Sequence, residues 1–84
     1  MNLCYITFRS VTFAQQGERV LESAGIRARL QRTPRWMEEQ GCGYCLTVRE
    51  ADIRRAVQTL GKNRVPLRRV YGREDDGELK ELML

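Results

Sequence analysis

Cys42 and Cys45 form a CxxC motif in which a glycine lies on each side of the first cysteine. Glycine allows backbone angles and close approaches that other residues resist, so Cys42 is predicted to lie on a tight turn with an accessible sulfur. The thiolate of cysteine is a nucleophile and a metal ligand, and a CxxC pair of reduced thiols is typical of redox, sulfur or metal chemistry. We therefore take these two cysteines as the candidate reactive residues. The alternative is that they are two ordinary thiols near a glycine turn.

The residue types that are missing narrow the chemistry of this motif. The sequence has three cysteines and no histidine, which excludes a histidine-assisted nucleophile and a four-thiolate zinc site within one chain. A metal site would need a second chain or carboxylates such as Glu38 and Glu39, which are poor partners for thiolates around zinc. Thioredoxin-like exchange is disfavoured, because redox CxxC motifs use a helix N-terminus to lower the thiol pKa and this motif precedes a predicted strand. We expect no metal and no cofactor.

Length and composition predict one small globular domain spanning residues 1–84. The chain is 42% hydrophobic and 31% charged, which is the balance of folded domains. No apolar run approaches the roughly 20 residues that span a bilayer, and the first eight residues lack the basic start and long apolar segment of a signal peptide. An odd number of cysteines argues for reduced thiols. We therefore expect a cytoplasmic protein with no membrane contact.

The formal net charge of +4 comes almost wholly from arginine. Such a charge can favour nucleic acid, an acidic protein or an anionic metabolite. The arginines are spread along the whole chain, and no aromatic stacking residue alternates with Arg27 and Arg29 on their predicted strand, so nucleic acid is the less favoured partner.

Hydrophobic periodicity predicts the order strand, helix, strand, strand, helix, strand, followed by a short terminal helix. The first helix is expected to be capped by Ser10 or Thr12 and to end at Gly25, and the second is expected to stop at Gly61. The predicted elements are strands at 3–8, 26–31, 44–49 and 65–71, helices at 13–24 and 50–60, and a terminal helix at 78–84.

This order predicts an α+β fold of the ferredoxin-like βαββαβ type, with two helices on one face of a four-stranded antiparallel sheet. We expect the first and third strands to be central, adjacent and parallel, and Pro66 to place the last strand at an edge. The alternation points Cys4 into the core and Cys45 to the open face of the sheet.

The terminal segment has apolar residues with two possible uses. Leu3 and Tyr5 of the first strand, together with Leu79, Leu82 and Met83 of the tail, offer apolar surface that must be covered. A monomer with the tail folded back and a homo-oligomer both meet this requirement.

The segment Thr33-Pro34-Arg35, a short spacer and the pair Cys42-Gly43 opening a strand lie behind a strand-helix-strand unit that ends in Ala24-Gly25-Ile26. This pattern resembles the selenium/sulfur carrier-like proteins over nearly the whole chain. The resemblance implies that Cys42 holds sulfur or selenium, that Gly43 lies beside it, and that Thr33, Pro34 and Arg35 shape the loop. It also implies donor and acceptor proteins as partners, and a carrier more than a turnover enzyme.

The spacer of this chain is acidic and bulky, and Cys45 is an additional thiol beyond the family pattern. In the implied chemistry a Cys42 thiolate takes the outer atom of a donor persulfide or selenium source, and Cys45 can act as a resolving thiol. Arg35 and Arg32 supply nearby positive charge, which Glu38 and Glu39 oppose. The alternative function is a small regulatory or interaction module that binds an acidic partner, nucleic acid or anionic metabolite through Arg27 and Arg29.

Overall fold

The computed structural model describes residues 3–33, 43–73 and 79–82. They form an α+β fold in which two helices accompany a five-stranded antiparallel sheet. A 3₁₀ turn at Glu50–Asp52 leads into the second helix. The elements are β1 (Leu3–Thr7), α1 (Val11–Ser23), β2 (Ala28–Arg32), β3 (Tyr44–Arg49), α2 (Ile53–Lys62), β4 (Arg69–Arg73) and β5 (Leu79–Glu81).

The strands lie in the order β2-β3-β1-β4-β5, and each neighbouring pair is antiparallel. β1 and β3 are adjacent, as predicted, but the prediction that they run parallel is wrong. The α1 crossover brings the chain back so that β2 runs parallel to β1, and β3 then reverses direction to lie between them.

The predicted count of four strands and the predicted terminal helix are also wrong. Leu79–Glu81 forms β5 and pairs with β4 instead of forming a helix. An isolated helix of seven residues is marginal in water, whereas the unpaired edge of β4 offers a row of backbone hydrogen-bonding groups. β4 is therefore an internal strand, and Pro66 precedes it without restricting its ladder.

The two helices bury their apolar sides on one face of the sheet, as predicted. Gly17 lies on the inner face of α1, where an added Cβ would come within 3.1–3.3 Å of side-chain atoms of Phe8, Leu46 and Leu60. The absence of a side chain there lets α1 approach both the sheet and α2. The core consists of Cys4, Ile6, Phe8, Ala14, Leu21, Ile26, Leu46, Val48, Ile53, Ala56, Leu60, Val65 and Val70.

The ends of the two helices follow different rules. Ser10 caps α1 by accepting a hydrogen bond from the Phe13 N–H at 3.2 Å, and Gly25 follows the helix with φ of 77°. The prediction that Gly61 stops α2 is wrong, because the helix continues to Lys62 and the left-handed residue after it is Arg64, with φ of 57°.

The C-terminal residues of the described chain fold back onto the core. Leu82 packs against the core cluster, and its N–H donates to the Val70 carbonyl at 2.7 Å. This covers apolar surface within one chain, while the homo-oligomer stays a prediction. In the described part of the chain, neither helix has the length and hydropathy needed to cross a bilayer.

Glu18 of α1 covers part of the free edge of β2. Its carboxylate accepts a hydrogen bond at 3.0 Å from the Leu30 N–H, a group that does not pair with β3. Replacing Glu18 with alanine is expected to lower the free energy of unfolding by about 1–3 kcal/mol. The substitution removes a charge-assisted hydrogen bond and leaves the Leu30 N–H without its carboxylate acceptor. Urea denaturation measures this loss. Glu22→Ala, one turn later on the same helix and exposed, is the control and should cost less than about 0.5 kcal/mol; equal losses would contradict the role of Glu18.

Candidate functional site

The sequence-predicted site residues divide into two groups. Thr33, Gly43 and Cys45 are described by the structure, whereas Pro34, Arg35 and Cys42 lie outside the described residues. The described part of the site therefore lies at residues 33 and 43, which border segment 34–42. The predictions for Pro34, Arg35 and Cys42 stay predictions.

A backbone hydrogen bond joins the two residues that border segment 34–42, and we call this pair the Thr33–Gly43 border. The Thr33 N–H donates to the Gly43 carbonyl at 2.9 Å, directly beyond the last residue pair of the β2–β3 ladder, Arg32 with Tyr44. Thr33 is only 9% exposed and Gly43 is buried. This bond fixes the backbone of the two described residues that lie on either side of segment 34–42.

Gly43 has a backbone conformation that explains its residue type. Its φ is 83°, in the left-handed region where a Cβ costs roughly 1–2 kcal/mol. A glycine beside the cysteine is therefore favoured by the turn that begins β3. The sequence signal for this turn was the glycine itself, and the structure supplies the angle.

Arg32 lies across the β2–β3 ladder from Tyr44 and is exposed next to the Thr33–Gly43 border. Its guanidinium carbon lies 5.8 Å from the centroid of the Tyr44 ring, which is within the range of a cation–π contact. This contact holds a positive charge next to the hydrogen-bonded pair of Thr33 and Gly43. Sequence reasoning identified Arg32 as a possible cation but missed Tyr44, because cross-strand register is not visible in the sequence.

Cys45 lies on the face of the sheet opposite the helices, as predicted, but its side chain is completely buried. It packs with Tyr5 and Tyr71 in a small cluster separate from the main core, and it pairs across the strands with Thr7 and Gln31. A buried thiol reacts slowly because reagents cannot reach it. Any reaction at Cys45 therefore requires this cluster to open.

Cys4 is buried on the helix-covered face, as predicted. Burial raises the pKa of its thiol, and the negative charge of Glu50 raises it further. The thiol stays protonated at neutral pH and is a weak nucleophile. Within residues 3–33, 43–73 and 79–82, no three His, Cys, Asp or Glu side chains cluster in a way that could hold a metal ion.

The arginines of the alternative function lie away from this border. Arg29 is exposed on β2 opposite Thr47, and Arg27 is exposed just before the strand. They are at the part of β2 farthest from Thr33, so they do not join the Thr33–Gly43 pair in one site.

A comparison with protein families finds one match that covers most of the chain. The family model described as "Putative Se/S carrier protein-like" matches residues 3–72. No curated protein and no solved structure matches the chain. The matched segment includes β1 to β3, both helices, most of β4 and the border formed by Thr33 and Gly43.

Proposed function

Because the chain belongs to the selenium/sulfur carrier-like family, we propose that it holds sulfur or selenium on Cys42, as a persulfide or selenide, and passes it between proteins. The observation that carries this proposal is the family match over residues 3–72. The hydrogen bond between Thr33 and Gly43 supports it, since it joins the residues on either side of segment 34–42, which contains Cys42.

The proposed transfer needs no outside oxidant. A Cys42 thiolate attacks the outer sulfur of a donor persulfide, a new S–S bond forms on Cys42, and the donor leaves as a thiolate with the electron pair of the broken bond. A nucleophile on the acceptor then removes the outer sulfur and returns Cys42 to the thiolate. The protein is therefore a carrier, and its partners are a donor and an acceptor protein.

The neighbouring residues have supporting roles in this proposal. Gly43 fixes the backbone that follows Cys42, Thr33 and Pro34 shape the segment on the β2 side, and Arg35 supplies positive charge that favours the thiolate. Cys45 is an optional resolving thiol. It can attack the inner sulfur of the Cys42 persulfide, forming a disulfide and releasing hydrosulfide, once its cluster with Tyr5 and Tyr71 opens.

We also propose that the protein works in the cytoplasm and that its fold is ferredoxin-like with β5 added at the edge of β4. The odd number of cysteines supports a reducing compartment. The order of the first four strands, with β1 and β3 between β2 and β4, supports the ferredoxin-like assignment.

Sulfur loading tests the carrier function directly. Incubation of the reduced protein with a cysteine desulfurase and free cysteine is expected to add one sulfur atom to Cys42, detected by intact mass and by mapping of a trapped peptide. Cys42→Ser should take up none, and Cys45→Ser should still be loaded. Absence of any added sulfur or selenium on Cys42 of the folded protein, with donors of both elements, would contradict the proposal.

A further inference from the structure

Gly43 lies at one end of the sheet, which we call the Gly43 end. Thr7, the last residue of β1, pairs with Cys45 near the start of β3 and with Arg69 at the start of β4. β2 finishes at the same end, because Arg32 pairs with Tyr44. The residues of the Gly43 end are those at 8–10, 32–33, 43–44 and 61–68.

The C-terminal turn of α2 also reaches this end. Leu60 and Leu46 both contact the position of Gly17, so the last turn of α2 lies above the beginning of β3. Residues 61–68 then lead to β4, where the Arg68 N–H donates to the Thr7 carbonyl at 2.7 Å. Lys62 and Arg64 are therefore placed at the same end of the molecule as Gly43.

The described charges within these four ranges all have one sign, while the adjoining Arg69 forms an ion pair with Glu81 at 3.5 Å. The four ranges contain no Asp or Glu, and their charged residues are Arg9, Arg32, Lys62, Arg64 and Arg68, of which the first four are exposed. The sequence of segment 34–42 contains one arginine, Arg35, and two glutamates, Glu38 and Glu39. Counted together with the four ranges, positive residues still outnumber negative ones. The opposite end is mixed, with Arg49 lying 3.9 Å from Asp52 and close in sequence to Glu50.

Arg64 occupies a position where a large side chain is costly. Its φ of 57° is that of the left-handed residue after a helix, and the Val65 N–H donates to the Leu60 carbonyl at 3.0 Å in the pattern of a Schellman motif. Glycine is the usual residue there, and a non-glycine residue costs about 1 kcal/mol or more. A positive charge is thus present at the Gly43 end in spite of a conformational cost.

We propose that the Gly43 end docks an acidic surface of the protein that delivers sulfur or selenium to Cys42. This inference rests on the proposed carrier function, because a donor must approach the end from which Cys42 extends. Carboxylates complement the exposed cations and raise the rate of encounter. Of the two aromatic rings in these ranges, Phe8 is completely buried and Tyr44 has the Arg32 guanidinium over its ring. The surface therefore fits an acidic protein better than a single-stranded nucleic acid, which requires free stacking faces.

A peptide with a reactive disulfide tests this docking without a carrier reaction. The probe is a glutamate-rich peptide whose single cysteine bears a thionitrobenzoate group, and its neutral counterpart has glutamine at each glutamate. Cys42 attacks the peptide sulfur, a mixed disulfide forms, and coloured thionitrobenzoate leaves with the electron pair. We expect the acidic peptide to react roughly threefold to tenfold faster at low salt, with the advantage lost at high salt.

Two double variants provide a matched comparison, because each removes two positive charges at or near one end of α2. Lys62→Gln with Arg64→Gly should reduce the rate advantage at least twofold while keeping or raising the melting temperature. Arg54→Gln with Arg55→Gln, exposed in the first turn of α2, should leave the advantage intact. Peptide mapping assigns each rate to Cys42.

The outcomes separate the docking surface from the carrier function. Equal rates for acidic and neutral peptides in the wild-type protein, or equal loss in both double variants, would overturn the docking proposal. The docking proposal would also be overturned if the acidic peptide shows no rate advantage and a single-stranded oligonucleotide binds in a way that depends on Lys62 and Arg64. Failure of loading with both sulfur and selenium donors, with the peptide result intact, would overturn the carrier function and leave the preference of the Gly43 end for acidic surfaces.

Discussion

Replacing Gly43 with valine is expected to slow sulfur loading of Cys42 about tenfold, which corresponds to about 1.4 kcal/mol in the barrier. Gly43 has φ of 83° and its carbonyl accepts the Thr33 N–H. A β-branched residue avoids this angle, so the variant must either rotate the peptide that leads to Cys42 or break the hydrogen bond. The loading rate is measured by intact mass over time at a temperature where the protein is folded.

Gly25→Val is the matched control for this substitution. Gly25 also has a positive φ, of 77°, but it is exposed and an added Cβ there would meet no atom within 4 Å. Both variants should lose about 1–3 kcal/mol of stability through backbone strain, and only Gly43→Val should slow loading. If the two variants load at the same rate, Gly43 has no role in directing Cys42.

Replacing Phe8 with alanine is expected to lower the free energy of unfolding by about 3–5 kcal/mol. Phe8 is completely buried, and its ring fills the space left by Gly17, so that its Cζ atom lies 3.1 Å from the position of a Cβ there. Removing the ring leaves a cavity between α1 and the sheet. Since a domain of this size is stable by only about 5–15 kcal/mol, denaturant unfolding should show a strongly reduced midpoint.

Leu3→Ala, at the start of β1, is the comparison for the variant of Phe8, which directly follows that strand. Leu3 is 38% exposed, and its loss should cost less than about 1 kcal/mol. A cost for Phe8→Ala as small as that for Leu3→Ala would show that α1 closes over the cavity, and the close approach at Gly17 would then not depend on the ring.

Local patterns predicted the elements whose cause is also local. The alternation of apolar residues placed Cys4 in the core and Cys45 on the other face of the sheet, and both placements are confirmed. Gly25 ends α1 and Gly17 lies inside, because backbone angle and close packing exclude a side chain at these positions. The family assignment is confirmed as well.

Strand pairing and burial were beyond the reach of these patterns. Leu79 and Leu82 have a spacing that fits a helix, but the open edge of β4 pairs with this segment as β5. Period-two alternation gives the face of Cys45, but the burial of Cys45 beside Tyr5 and Tyr71 depends on residues distant in sequence. Such contacts form only when separate segments meet, so no local window contains them.

By itself, the sequence determined the family, the two helices with their inner faces, and the glycine that must precede β3, because each depends on residue type and short-range spacing. Only the tertiary structure decided that Arg9, Arg32, Lys62 and Arg64 share one end of the molecule with Gly43. These residues belong to three separate segments, and the antiparallel strand order together with the return of α2 brings them together. Positive charges that are far apart in the sequence therefore meet at the end of the sheet that holds Gly43.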